Sequence, residues 1–301
     1  MWIKPSTLLG AVASMLLLAA CSGDDGSGDR PRVIASFYPF AFVAEQVGGD
    51  HVEVDNLTPP GAEPHDLELT PQQVADLSEA SLVIYESGFQ PAVDDGIEQA
   101  GLSDDAILDV TEVVPLAPAT ESADDESTDV DPHVWLDPTL MQQIANATAD
   151  RLIEIDPPHR SAYERDRDRL VSQLEQLDTE YEQGLADCER RTIVTSHDAF
   201  GYLARRYDLE QIPIAGIDPH AEPAPSDQAE IADLVRDDGI TTVFTETLVS
   251  DDVAQSIADE TGVTVATLDP IEGLDDDTSD ETYLDLMRDN LEVLREANGC
   301  T

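Results

Sequence analysis

The chain has 301 residues, 65 of them acidic and 15 basic, for a formal net charge of −50, yet 41% are hydrophobic. That apolar fraction supports a folded core, and the length allows one large domain or two of ordinary size. So acidic a surface excludes nucleic acid as a partner, since phosphate binding needs basic side chains; it would concentrate cations, but solubility or salt adaptation is the simpler reason for it.

The first residues address the chain rather than fold it. Lys4 is followed by an apolar run from Leu8 to Ala20 and then by Leu18-Ala19-Ala20-Cys21-Ser22-Gly23. The run is too short to span a bilayer comfortably and ends in small residues, the pattern of a cleaved export signal. A cysteine at that point resembles a bacterial lipobox, in which Cys21 becomes the lipidated first residue of the mature protein. An ordinary secretory signal with an incidental cysteine is the alternative. Residues 1–20 are therefore expected to be the signal and 21–31 a flexible Gly, Ser and Asp tether. The expected location is extracytoplasmic, lipid-anchored to the outer face of the cell membrane.

Strands then alternate with helices. Val33–Phe37 reads as a short buried strand, and a helix from about Pro39 carries Phe40, Val43 and Val47 on one face until Gly48-Gly49 stops it. Val52–Leu57 is the next strand. Thr70-Pro71-Gln72-Gln73 opens a helix, with Thr70 as cap and Gln73 placed to close a capping box. Leu82–Tyr85 and Ile107–Val110 are two more strands. Ala117–Asp131 is acidic, aperiodic and expected to be a mobile insertion. After Pro157-Pro158, apolar positions at Tyr163, Leu170, Leu174, Leu177, Tyr181 and Leu185 predict one helix of about 28 residues. Strands at Thr192–Thr195, Ile212–Ile217, Thr242–Thr245 and Val263–Leu268 follow, with helices near Asp198, Ser226, Ser250 and Asp280. Such a pattern predicts α/β architecture: an N-terminal lobe over 32–156, a linking helix over 157–187 and a C-terminal lobe over 188–301, with mostly parallel sheets. Cys188 and Cys300 lack the spacing of a zinc knuckle or redox pair. In an exported protein they are expected to form a disulfide, with isolated buried thiols as the alternative.

Candidate ligands gather at strand exits and helix entrances, where open α/β sheets bind ligands. His65 follows the second strand in Gly61-Ala62-Glu63-Pro64-His65-Asp66. His133 lies in Asp131-Pro132-His133-Val134-Trp135-Leu136-Asp137-Pro138, His197 in Thr195-Ser196-His197-Asp198, and Asp269 ends a strand before Pro270. Three imidazoles and a carboxylate suit Zn2+, whereas Mn2+ and Fe2+ favour more oxygen ligands. Asp66, Asp137, Asp198 and Glu246 are the nearby acids that would orient imidazoles, and Glu246 could also coordinate. His51 and His159 have no distinctive setting.

Taken together, the lipobox, Gly-Ala-Glu-Pro-His65-Asp-Leu-Glu-Leu-Thr-Pro, Asp-Pro-His133-Val-Trp-Leu-Asp-Pro, Thr-Ser-His197-Asp-Ala-Phe-Gly-Tyr and Thr-Leu-Asp269-Pro resemble the metal-binding solute-binding proteins of ABC importers for zinc and manganese. The resemblance runs from Arg32 to Cys300. It implies two Rossmann-like lobes joined by a rigid backbone helix, metal ligands His65, His133, His197 and Asp269, and delivery to a permease by a monomeric, non-enzymatic binding protein. Histidine at the third ligand position goes with zinc in that family and glutamate with manganese. Two departures stand out. The acidic segment replaces the histidine-rich loop common in zinc members, and His220, in Asp218-Pro219-His220-Ala221-Glu222-Pro223, stands where the family usually has Glu. His220 is either an auxiliary ligand or a surface change. A metal-dependent hydrolase and a surface adhesin on the same fold are the competing readings; a hydrolase would need an open coordination position for water.

Overall fold

The computed structural model describes residues 1–2, 30–119, 130–221 and 223–301. The export signal, Cys21, nearly all of the tether and residues 120–129 of the acidic segment lie outside the described residues.

The N-terminal lobe runs β1 (Arg32–Ala35), α1 (Tyr38–Gly48), β2 (Glu53–Asn56), α2 (Pro71–Leu77), β3 (Leu82–Tyr85), α3 (Pro91–Ala100) and β4 (Ile107–Asp109). Its strands are all parallel, in the order β2-β1-β3-β4. Helices cover both faces of such a sheet, which is why Val33, Ile34 and Ala35 in succession are buried rather than alternating. Pro stands at the first or second position of α1, α2 and α3, where a missing N–H is harmless. The Thr70–Gln73 capping box forms with both of its hydrogen bonds, as the sequence predicts.

Two short strands, β5 (Ala117–Pro118) and β6 (Val130–Asp131), pair antiparallel before α4 (Pro138–Ile155) and α5 (Arg160–Gly184). The expectation that 117–131 is one structureless insertion is thus corrected at both ends. The Tyr202 hydroxyl joins the two strands, accepting from the Ala117 amide at 2.8 Å and donating to the Asp131 carbonyl at 3.1 Å.

The C-terminal lobe follows with β7 (Thr192–Thr195), α6 (Gly201–Tyr207), β8 (Glu210–Pro213), α7 (Pro225–Asp237), β9 (Thr242–Thr245), α8 (Asp252–Thr261), β10 (Thr264–Thr267) and α9 (Tyr283–Asn298). Its parallel sheet has the order β10-β9-β7-β8. The strand expected over Ile212–Ile217 lies earlier, at Glu210–Pro213; beyond it the Ile214 and Ala215 amides still bond to the Thr195 and Ser196 carbonyls, at and just past the end of β7. The two sheets share one topology, β1 corresponding to β7 and β3 to β9. The crevice between each such pair is the switch point at which these sheets bind ligands.

The long helix α5 has 25 residues, preceded by a 3-10 turn at Pro157–His159, so it spans about 37 Å. It buries Tyr163, Leu170, Leu174, Leu177 and Tyr181 and packs on α1 and α4 of one lobe and α9 of the other. The Tyr181 hydroxyl donates to the Met287 carbonyl in α9. Beyond α5 the disulfide Cys188–Cys300 closes a separation of 112 residues, flanked by the hydrogen bond from the Thr301 amide to the Asp187 carbonyl.

Trp135 pins the lobes at their interface. Its indole N–H donates to the Pro270 carbonyl at 2.7 Å, and its own carbonyl accepts from the Tyr283 hydroxyl. Trp135→Phe would keep an aromatic ring but remove the donor and part of a fully buried side chain, stranding a buried carbonyl, and should lower unfolding free energy by at least about 1–3 kcal/mol. Urea denaturation followed by circular dichroism measures this; a change within ~0.5 kcal/mol, typical of neutral surface substitutions, would show that the bond contributes nothing.

Candidate metal centre

The facing ends of the two lobes bring His65, His133, His197 and Glu272 to one point. His65 comes from the loop after β2, and His133 from the bend before the 3-10 turn Val134–Leu136. His197 lies two residues past β7, and Glu272 in the loop between β10 and α9. Glu272 Oε1 is 3.4 Å from His65 Nε2, 3.2 Å from His133 Nε2 and 3.6 Å from His197 Nε2. His133 and His197 Nε2 are 3.3 Å apart. A tetrahedral ion with ligand bonds of about 2.0–2.1 Å has ligands separated by about 3.3–3.4 Å. These four separations, 3.2–3.6 Å, bracket that spacing, and all four donor atoms lie within 4.8 Å of one another.

Their surroundings are dry. His133 and His197 are wholly buried, Glu272 is nearly so, and only His65 touches the surface. Phe89 packs edge-on against the His65 ring and Trp135 against His133. A cavity of about 170 Å³ lined by His65, Glu86, Phe89, Pro132 and Ile217 adjoins the site on the His65 side. No well-directed hydrogen bond reaches Glu272 Oε1 or His65 Nε2, so this buried oxygen is met only by the three facing imidazoles, a grouping that a cation at their centre would satisfy.

Carboxylates fix the imidazoles from behind. Asp131 Oδ1 lies 2.9 Å from His133 Nδ1 and also accepts the His133 backbone N–H at 3.0 Å. Glu246 repeats the device on His197, at 2.7 and 2.8 Å from Nδ1 and 3.1 Å from the backbone nitrogen. With the proton held at Nδ1, each Nε2 lone pair is directed at the common point. Arg205 in turn holds the second oxygen of Asp131.

The charges show how the metal-free protein is balanced. Burial works against a charged His197, but Glu246 and Glu272 outweigh it and raise its pKa to about 10. Burial likewise opposes charge on His133, yet Asp131 and Glu272 leave its pKa raised. His65, with less compensation, is lowered by burial. Glu272 lies well below the carboxylate range although its burial pulls the other way, because three histidines face it. Protons thus stand in for the cation.

Asp269, expected from sequence as the fourth ligand, is not brought into this group. Its Oδ1 accepts the Ile271 backbone N–H at 2.7 Å, and its own backbone N–H donates to Asn290. Burial pushes its carboxyl up to about 7. Asp269 builds the turn that presents Glu272, and Ile271 within that turn takes the left-handed conformation, φ 57°, that a β-branched residue rarely adopts. Among the acids considered beside Glu246, Asp137 caps α4, Asp198 is buried next to His197, and Asp66 is exposed. Sequence reasoning missed Glu272 and Asp131. No periodicity marks Glu272 among 65 acids, and Asp131 was counted with the acidic insertion; its place two residues before His133 was the available signal.

Glu272→Gln should weaken zinc binding by two or more orders of magnitude and Asp269→Asn by less than about tenfold, while Glu246→Gln should fall between, at about 10–100-fold. Competition against a chromophoric chelator reads all three; equal losses for the first two would return Asp269 to the ligand set.

Comparisons with known proteins agree with this geometry. Residues 33–297 match the family model described as the zinc-uptake complex component A, periplasmic. The chain is 31% identical over 315 residues to the high-affinity zinc uptake system protein ZnuA of Bacillus subtilis, covering 99% of this chain and 98% of that protein. The crystal structure of the Zn(II)-bound ZnuA-like domain of Streptococcus pneumoniae AdcA superposes with a TM-score of 0.77 at 28% identity, over 89% of this chain and 99% of that one. The laminin-binding protein Lmb of Streptococcus agalactiae, titled as having adhesin and metal transporting activity, gives 0.79 at 33% identity, over 89% and 99%.

Proposed function

Because the chain belongs to the family of periplasmic zinc-uptake components, we propose that it captures Zn2+ between its lobes with His65, His133, His197 and Glu272 and hands it to the permease of an ABC importer. The observation that carries this reading is the convergence of three imidazole nitrogens on one buried carboxylate oxygen, at 3.2–3.6 Å, close to the ligand separations of a tetrahedral ion. Three neutral imidazoles and one carboxylate leave a bound divalent ion with net charge +1, and Asp131 and Glu246 behind the rings offset it. The donor set favours zinc over manganese and iron(II), which prefer oxygen-rich shells. Four protein ligands leave no coordination position for an activated water, so the protein acts as a carrier and not as a hydrolase. Held to the membrane through lipidated Cys21, a single copy would wait outside the cell beside its permease.

Release follows from the same construction. Helix α5 packs against both lobes and resists a wide hinge, so opening is confined to small tilting and to the loop bearing His65, the one residue of the four that reaches the surface. Competitive titration of the purified protein with Zn2+, Mn2+ and Fe2+ tests the assignment. Zinc should bind at least ~100-fold more tightly than manganese; equal affinities would overturn the choice of cargo.

Protons oppose capture. His197 is raised to about 10 and is protonated at neutral pH without metal, so a zinc ion must displace that proton from Nε2. Calorimetry at pH 7.5 in buffers of differing ionisation enthalpy should show about one proton released per zinc, and the dissociation constant should rise steadily towards pH 5.5. A dissociation constant unchanged over that interval would contradict the site. In the metal-free fold the sign is opposite for stability: the raised His197 stabilises fully below its unfolded value of about 6.5, and that contribution is lost as pH rises through about 10.

A further inference from the structure

We propose a second, weaker divalent-cation site at the mouth of the cleft, formed by Glu63, Asp66 and His220, that receives the ion before the buried cage does. The three residues offer ligand atoms that lie within 4.8 Å of one another. His220 Nε2 is 3.3 Å from Asp66 Oδ2 and 4.0 Å from Glu63 Oε2. They come from opposite lobes, Glu63 and Asp66 from the loop that carries His65 and His220 from the loop between β8 and α7. A surface ion pair between His220 and Asp66 alone would be unremarkable, since both are exposed.

Glu63 makes the difference. Its side chain is only 8% exposed. Oε2 accepts the Asp66 backbone N–H at 3.3 Å, whereas buried Oε1 has no hydrogen-bond partner. A carboxyl held out of water against a second carboxyl, Glu272, is unfavourable by itself, and a cation shared with His220 and Asp66 would offset that cost. The same carboxyl faces Glu272 of the cage. Glu63 therefore stands between an exposed pair of ligands and a buried set of four, two residues before His65. One imidazole and two carboxylates, completed by water, suit a partly hydrated zinc ion held loosely. Partial hydration matters, since an ion entering the dry cage must shed its water, and a site that removes some of it on the surface divides that barrier. The acidic surface would raise the supply of cations to such a collector.

The existence of the site is independent of the capture function; its role as a waystation rests on that reading. Titration of the full folded chain with Zn2+ in ~0.15 M salt, where diffuse attraction is screened, should show one tight ion and one bound more than about 100-fold more weakly. His220→Ala and Asp66→Asn should each abolish the weak class and leave the tight dissociation constant within about twofold. In stopped-flow measurements both variants should take up and release zinc several-fold more slowly by the same factor, as removal of an intermediate requires. A single zinc per wild-type chain, or a weak class that survives His220→Ala, would overturn the site. Unchanged uptake rates with the weak class gone would overturn the waystation. Loss of the tight class in the wild type would instead refute capture by the cage, a distinguishable failure.

Discussion

Everything in this molecule turns on holding one carboxylate oxygen against three imidazole nitrogens where water cannot reach. Glu272 Oε1 lies within 3.6 Å of each Nε2, a grouping that is unfavourable unless protons or a cation neutralise it. The fold supplies the compensation in layers. Asp131 and Glu246 grip the far nitrogens, and the same two carboxylates accept the backbone N–H of the residue they orient. His133 and His197 are thereby fixed at ring and main chain together, which helps a site assembled from four separate loops keep its spacing.

The two lobes contribute in parallel ways. β9 ends at Thr245 with Glu246 beside the end of β7, and β3 ends at Tyr85 with Glu86 beside the end of β1. In the C-terminal lobe the residue after Ser196 is His197, which Glu246 orients. In the N-terminal lobe the residue after Ser36 is Phe37, so Glu86 has no imidazole to hold. Burial pushes the Glu86 carboxyl well above its ordinary range, leaving it a neutral wall of the cavity next to His65. One topology thus builds an imidazole-orienting carboxylate in one lobe and an apolar support in the other, where Phe37 meets Phe89 at a tilt and Trp135 edge-on.

Rigidity explains how the cage can be both dry and reversible. α5 and the Trp135 hydrogen bonds tie the lobes together, and the Cys188–Cys300 disulfide secures the carboxyl terminus against the end of the long helix. Of the four converging residues only His65, on the loop after β2, reaches the surface. The Glu272 loop stores backbone strain at Ile271, a feature found where a segment must hold an unusual pose for a ligand.

The amino-acid sequence by itself determined the alternation of elements, the long helix, the cysteine pair and three of the four residues, His65, His133 and His197, that converge with Glu272. Those features are written locally: buried parallel strands are continuous apolar runs, α5 repeats its apolar residues at three, four and seven, and each histidine sits in a distinctive Pro- and Asp-rich setting. Tertiary structure alone brought Glu272 to the three histidines and Asp131 behind His133, and it selected Glu246 from the four acids that the sequence offered. In a chain with 65 acids no spacing separates Glu272 from Asp269; a left-handed turn three residues long does, by spending Asp269 on the Ile271 amide and turning Glu272 inward. Asp131 was hidden for the same reason, since burial, which converts an acid from a solvated charge into a hydrogen-bonding device, is a property of the packed lobes and not of any stretch of chain.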